Sequence, residues 1–152
     1  MNVLFAASEA FPFCKTGGLA DVAGSLPIAL AEGGDNVSVI LPLYGQISQE
    51  WRDKMTYRNY IYVDVAWRHQ YCGLFVMEYR GVTWYFVDNE YYFRRGSLYG
   101  DYDDGERFAF FCRAVLDWVK AQRVTIYNEE THTKKIFKTV FGLFVLPGRE
   151  TG

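Results

Sequence analysis

No stretch of this sequence approaches the ~20 consecutive apolar residues that a membrane-crossing helix needs, and its opening, Met1 to Phe13, has no positively charged start of the kind a secretory signal carries. Ser8 and Glu9 interrupt the apolar run there, so it reads as a buried strand. Cysteine is scarce: Cys14, Cys72 and Cys112 are odd in number and far apart, which argues against a disulfide framework or a zinc site and fits reduced thiols. Histidine is scarcer still. His69 stands between Arg68 and Gln70 in an expected turn and His132 in a polar stretch, and neither setting suits a catalyst. An excess of one charge is also missing, with 16 Lys and Arg against 18 Asp and Glu and a net charge of -2. A nucleic-acid backbone therefore finds no basic footprint. These absences point to a cytoplasmic protein without a membrane or nucleic-acid partner.

What is present is a globular composition. Half of the 152 residues are hydrophobic and 18% are aromatic, enough for a core in a chain that buries roughly 68–70% of its unfolded surface. Disorder is excluded on the same ground.

Asn2 to Ala7 is a short apolar run of the kind covered on both faces of a sheet, and a loop with Pro12, Gly17 and Gly18 follows it. Leu19, Val22, Ala23, Leu26 and Leu30 then fall at helical spacing, with Gly33-Gly34 as the stop and Pro27 predicting a kink or an early turn. Val37 to Leu41 is a second strand, completing a βαβ unit and implying a parallel sheet. Tyr60 to Ala66, Tyr71 to Tyr79 and Val82 to Val87 predict a small antiparallel excursion, with Tyr79-Arg80-Gly81-Val82 as a hairpin turn. From Glu106 the period becomes helical, with Phe108, Phe111, Cys112, Val115, Leu116 and Val119 on one face behind an Asp103/Glu106 capping box. After Gln122 only a strand within Ile136 to Leu146 is expected.

The segment with chemistry is Lys15-Thr16-Gly17-Gly18-Leu19-Ala20-Asp21, between the first strand and the first helix. Glycines let a ligand approach the backbone, a helix N-terminus aims N–H groups and a positive dipole at it, and Lys15 adds a mobile charge. The combination suits a diphosphate at the carboxyl end of a parallel strand. It is neither a GxGxxG nor a Walker sequence. A Gly-Gly pair also serves a plain turn, and a loop lysine is ordinarily solvated. Asp101, Asp103 and Asp104 suggest a metal at first sight, but their place before a helix is explained more simply by capping and dipole complementarity. No metal is expected.

Phe5-Ala6-Ala7-Ser8-Glu9, Lys15 to Val22 and Leu41-Pro42-Leu43-Tyr44-Gly45 together resemble the opening of the bacterial glycogen synthase and plant starch synthase family. Asp88 to Phe93, Gly96-Ser97-Leu98-Tyr99-Gly100-Asp101 and Glu106 to Phe111 follow in the family's order. The resemblance implies an α/β fold, the incomplete Rossmann-like N-terminal domain of a two-domain GT-B glycosyltransferase. It implies transfer of glucose from ADP-glucose to the non-reducing end of an α-1,4-glucan such as glycogen, with no metal ion and no cofactor besides the ADP-glucose substrate. On matching positions, Lys15 is implied to contact the donor diphosphate and the acceptor region, Gly17 and Gly18 to admit the phosphates, and Asp21 and Tyr99 to help line the cleft. Glu9 has a cleft role or that of a solvated or capping carboxylate at a strand end.

The resemblance spans residues 1–122, and 123–152 reads as an unmatched tail, from a frameshift or a prematurely ended gene. The family's segment like Asp-Val-Ile-His-x-Asn-Asp-Trp-His-Thr and its second domain are missing, so the cleft lacks one wall and turnover should be negligible. A missing central strand also predicts an exposed sheet edge and self-association, unless the Ile136 to Leu146 run fills the space. Two other readings remain. One is a non-catalytic nucleotide-sugar or glucan-binding module with stacking surfaces at Tyr91, Tyr92 and Tyr99. The other is an NAD-type Rossmann protein, which the missing GxGxxG disfavours.

Overall fold

The computed structural model describes residues 1–129, 138–140 and 143–146. Among the described residues, seven strands make one mixed sheet: β1 (Asn2–Ala6), β2 (Asn36–Pro42), β3 (Thr56–Val65), β4 (Arg68–Tyr79), β5 (Val82–Asp88), β6 (Lys138–Val140) and β7 (Leu143–Leu146), in the order β3-β4-β5-β2-β1-β7-β6. The helices described among them are α1 (Gly18–Glu32), α2 (Gln49–Arg52), α3 (Glu90–Phe93) and α4 (Asp104–Glu129). β1, β2 and β5 run parallel, and β3 and β4 extend them as an antiparallel excursion. The βαβ unit and the excursion follow the sequence expectation.

The parallel strands are the most thoroughly buried, which is why they read as unbroken apolar runs. The β4–β5 turn places Arg80 and Gly81 both at positive φ, 51° and 78°, the backbone that a tight hairpin asks for. Phe13, in the loop after β1, is wedged among Trp51, Trp84, Phe86 and Tyr79 with ring centroids 4.9–5.9 Å away. Buried aromatic contacts of this kind fasten the loop onto the sheet, and removing such a ring costs about 3–5 kcal/mol.

Several expectations are corrected. α1 turns its small residues inward: Ala20, Ala23, Gly24, Pro27 and Ile28 are buried, while Leu19 and Val22 are about half exposed, at 47% and 50%, and Leu26 is exposed too. Close packing explains the choice, because any side chain larger than hydrogen at Gly24 meets the Phe11 backbone carbonyl. Of the two outcomes expected at Pro27, the early turn does not occur, since the helix runs on to Glu32. α4 is rotated as well, burying Arg107, Phe110, Ala114 and Trp118 beside Phe111, Val115 and Val119 and leaving Cys112 and Leu116 outside. His69 is in β4 and not in a turn. Its Nδ1 lies 2.6 Å from Asp64 Oδ1 across the ladder, and Ala66 at φ 53° helps make the bend.

The capping box does not close. The Asp103 carbonyl accepts from Arg107 N as a helix start should, but the Asp103 side chain binds Arg95, and Glu106 accepts from Tyr92 Oη and pairs with Arg68. At the other end of the sheet, β1's second edge carries β7 in antiparallel register, Asn2 opposite Leu146 through Phe5 opposite Leu143. The expected single strand within Ile136 to Leu146 is two, β6 and β7. α4 passes through Gln122 unbroken. His132 lies outside the described residues. Among the described residues no helix is long and apolar enough to cross a membrane.

Candidate functional site

β1 delivers Ser8 and Glu9 to the carboxyl end of the parallel sheet, and the loop fastened by Phe13 returns to start α1 at Gly18. Backbone bonds from Phe13 N and Cys14 N to the Ala10 carbonyl tighten that loop, and Phe11 N donates to the Ala20 carbonyl, tying it to the helix. Lys15, Thr16, Gly17 and Gly18 are thereby held at the end of β1 beside Glu9.

Lys15 and Asp21 meet at this opening. The Lys15 Nζ donates to both Asp21 oxygens at 2.8 and 2.9 Å, and both side chains are about half exposed, 48% and 55%. Gly17 caps α1 without a side chain, so no side-chain oxygen fills the first turn. A Cβ built on Gly17 or on Gly18 meets nothing within 4 Å. Neither glycine has a positive φ. The fold's own sterics do not demand glycine at either place.

Glu9 is neither solvated nor open to a cleft. Its side chain is 4% exposed. The Thr16 backbone N–H donates to one carboxylate oxygen, and Thr16 Oγ1 lies 2.9 Å from both. Hydrogen bonds to a buried charged group are worth roughly 1.5–3 kcal/mol each. Tyr99, from the segment before α4, is also brought here: its hydroxyl lies 2.7 Å from Ser8 Oγ. Burial raises the Tyr99 hydroxyl above the usual phenol range, and the Glu9 charge beside it adds to the rise against the Ser8 bond, which lowers it. Tyr44 Oη donates to the Ser8 carbonyl at 2.7 Å, and its burial raises it further. All six residues singled out in the sequence therefore gather at one end of the sheet: Glu9, Lys15, Gly17, Gly18, Asp21 and Tyr99.

Sequence reasoning missed Thr16, Ser8 and Tyr44 as members of this group. Each stood inside a quoted motif, but a hydroxyl in a motif gives no sign of its partner. It also missed Arg107, whose fully buried guanidinium donates to the Tyr92 and Leu98 carbonyls at 2.6 and 3.0 Å and to Asp104 at 2.8 Å, pinning the segment that presents Tyr99. Of the three tyrosines expected to offer stacking surfaces, Tyr92 is completely buried against Phe110. Tyr91 is exposed, with the Arg68 and Arg95 guanidinium groups each 5.3 Å from its ring.

Asp101, Asp103 and Asp104 bring their carboxylates within 4.8 Å of one another. Two guanidinium groups meet them. Arg95 holds Asp103 by two bonds of 3.0 and 2.9 Å, and Arg107 lies 3.2 Å from Asp101 and 2.8 Å from Asp104. Asp104 also accepts from the backbone of Gly100 and Asp101. The cluster builds a loop in which each carboxylate lies against a guanidinium, while the buried Asp101 Oδ2 makes no hydrogen bond.

The family model described as the starch synthase catalytic domain matches residues 2–132. A glycogen synthase from Clostridium botulinum strain Eklund 17B is 59% identical over 120 residues, covering 79% of this chain and 25% of that protein. The glycogen synthase of Bacillus subtilis strain 168 is 52% identical over 139 residues, covering 90% of this chain and 29% of that protein. Among solved structures, the catalytic domain of starch synthase IV from Arabidopsis thaliana, bound to ADP and acarbose, superposes with a TM-score of 0.70 at 27% identity, over 78% of this chain and 25% of that one. The chain thus spans about a quarter of the length of the relatives it matches. Its α/β sheet is part of a GT-B type catalytic domain. With the family match running from the first strand through the whole of α4, this chain belongs to the starch synthase catalytic domain family.

Proposed function

We propose that this chain forms the donor-phosphate wall of a glycogen synthase cleft, in which glucose passes from ADP-glucose to the non-reducing end of an α-1,4-glucan. One observation carries the reading: an uncapped helix N-terminus, two glycines with open space at Cβ and an exposed lysine ammonium converge at the carboxyl end of β1. Oriented N–H groups, a positive dipole and a mobile cation are what a diphosphate needs. In this reading Lys15 stabilises the charge that builds on the departing ADP, Gly17 and Gly18 admit its phosphates, and Asp21 and Tyr99 line the opening. Activation resides in the sugar phosphate itself, so the transfer calls for no cofactor. The ADP bound to the Arabidopsis domain supports a nucleoside diphosphate here. Reduced cysteines fit a cytoplasmic setting.

Transition-state stabilisation needs groups on both sides of the transferring sugar, and the described residues supply the donor-phosphate side. Ligand-observed NMR with the full chain and millimolar ADP is the test. Saturation transfer to ADP that is lost in Lys15→Gln supports the reading, and no transfer at all to wild type rejects it.

A second reading, a glucan-binding module, draws on a different surface. Tyr60 and Tyr71 stack at 5.7 Å, Tyr60 meets Tyr62 edge to face at 5.9 Å, and Tyr71 Oη reaches Tyr57 Oη at 3.4 Å, all four rings being exposed on the β3–β4 hairpin. Maltooligosaccharide in the same NMR experiment, with Tyr60→Ala as the control, separates the two. Self-association belongs to the edge of that hairpin. β3 is a ten-residue strand at the end of the sheet, and an edge that long is a template for pairing with another copy. Sedimentation should show a concentration-dependent mass that Tyr60→Lys reduces.

A further inference from the structure

Resting on the donor-phosphate reading above, we propose that Glu9 never touches the ligand and acts as a positioning residue through Thr16, a residue to which that reading gives no role, setting the backbone that presents Lys15 and Gly17.

Glu9 and Thr16 stand at the two ends of the loop that leaves β1 and enters α1. Thr16 supplies two donors, its backbone N–H and its hydroxyl, to one carboxylate, and the hydroxyl sits at the same 2.9 Å from each oxygen. A carboxylate so held fixes both the distance between the loop ends and the direction of the Thr16 peptide. Lys15 is the residue before that peptide and Gly17 the residue after it, so the clamp sets where the ammonium starts and how the helix N-terminus faces. The carboxylate is also braced from behind. Ser8, next in sequence, accepts the Tyr44 hydroxyl on its carbonyl and meets the Tyr99 hydroxyl with its side chain. With Glu9 96% out of solvent, a diphosphate at the loop would find the carboxylate behind Thr16 and not in its path.

A negative charge next to an anion site opposes the anion unless it contributes something else, and here it contributes geometry. The cost of that charge is lowered by the Thr16 donors that face it.

The experiment compares ADP with adenosine, which shares the base and ribose but has no phosphate, on the 152-residue chain and on its Thr16→Ser, Thr16→Val and Glu9→Gln variants. Thr16→Ser keeps both donors and should bind ADP as wild type does. Thr16→Val keeps the shape and the N–H but loses the hydroxyl, and should raise the ADP dissociation constant by about tenfold, the effect of one hydrogen bond to a charged group. Adenosine binding should not change in any variant, which separates a misplaced phosphate cradle from a generally damaged fold. Amide hydrogen exchange at Thr16 should quicken in Glu9→Gln. If wild type takes no ADP, the donor reading itself fails. If wild type takes ADP and Thr16→Val takes it equally well, or if adenosine falls in parallel with ADP, the positioning role is overturned while the donor reading stands.

Discussion

Lys15 and Asp21 form a two-toothed ion pair across the first turn of α1, at 2.8 and 2.9 Å, and both ends are open to solvent. An exposed pair of this kind contributes at most ~1 kcal/mol, so an incoming diphosphate can displace Asp21 from the ammonium at small expense. Asp21 is then a competitor for the lysine as well as its holder. Asp21→Asn should lower the ADP dissociation constant by about two- to fivefold, since it removes both the competing charge and its repulsion. Lys15→Gln should raise it by about tenfold, the value of one charged hydrogen bond. Titration at two salt concentrations checks the cause: the difference between Asp21→Asn and wild type should shrink as salt rises.

Gly18 offers a sharper division between fold and ligand. It is the first residue of α1, its φ is not positive, and a Cβ there meets no protein atom within 4 Å. Alanine costs the unfolded chain conformational freedom and suits a helix better than glycine, so Gly18→Ala should hold or raise the stability by about 0.4–1 kcal/mol. The same methyl group projects into the space assigned to phosphate. Thermal melting should therefore show an unchanged or higher midpoint while ADP binding weakens. A variant that melts higher and binds ADP as well as wild type would remove Gly18 from the cradle.

The parts of this fold that the sequence makes legible are those set by one local pattern. The β1–α1–β2 unit reads from apolar runs and glycines, and the β4–β5 turn from Arg80-Gly81. The face of α1 did not read correctly, because hydrophobicity favours Leu19, Val22 and Leu26 whereas close approach to Phe11 favours Ala20, Ala23 and Gly24. His69 was misplaced because its strand is extended by a partner five residues away, Asp64, and not by its own neighbours. The site was legible as a list and illegible as a network. Lys15, Gly17 and Gly18 announce themselves through motif and position, but Glu9 with Thr16, Ser8 with Tyr99 and Arg107 with Leu98 are pairs made by tertiary folding.

Acid should loosen the segment that presents Tyr99. The paired Arg95 bonds hold the Asp103 carboxyl below the usual carboxylate range, and the Gly100 amide, with Arg107, does the same for Asp104. A folded-state value below the unfolded one means that stability is fully present above the unfolded carboxylate range near pH 4 and is lost as pH falls through the folded values. Asp88 works in the other direction. Burial and the Glu90 charge raise it, so its contribution improves as pH falls through its folded value toward the unfolded one. Asp103→Asn should lower the melting midpoint at pH 7 and flatten the acid side of the stability profile. Equal losses at pH 7 and pH 3 would show that the Asp103 charge is not what matters.

The three thiols should separate by burial. Desolvation pushes Cys14 up to about 11 and Cys72 up to about 12, with the Ala10 backbone and Trp118 respectively pulling the other way, and both sulfurs are inside the core. The thiolate is the reactive form, so at pH 8 both are protected twice, by access and by protonation. Cys112 lies on the outer side of α4. A thiol reagent such as DTNB should modify one cysteine quickly in the native chain and all three in denaturant. Because Cys14 lies in the loop that leads to Lys15, its slow reaction also measures how often that loop opens. ADP, by holding the loop closed, should slow Cys14 further and leave Cys112 unaffected. A Cys14 rate that ignores saturating ADP would mean that the loop is no more ordered with the phosphates bound than without them.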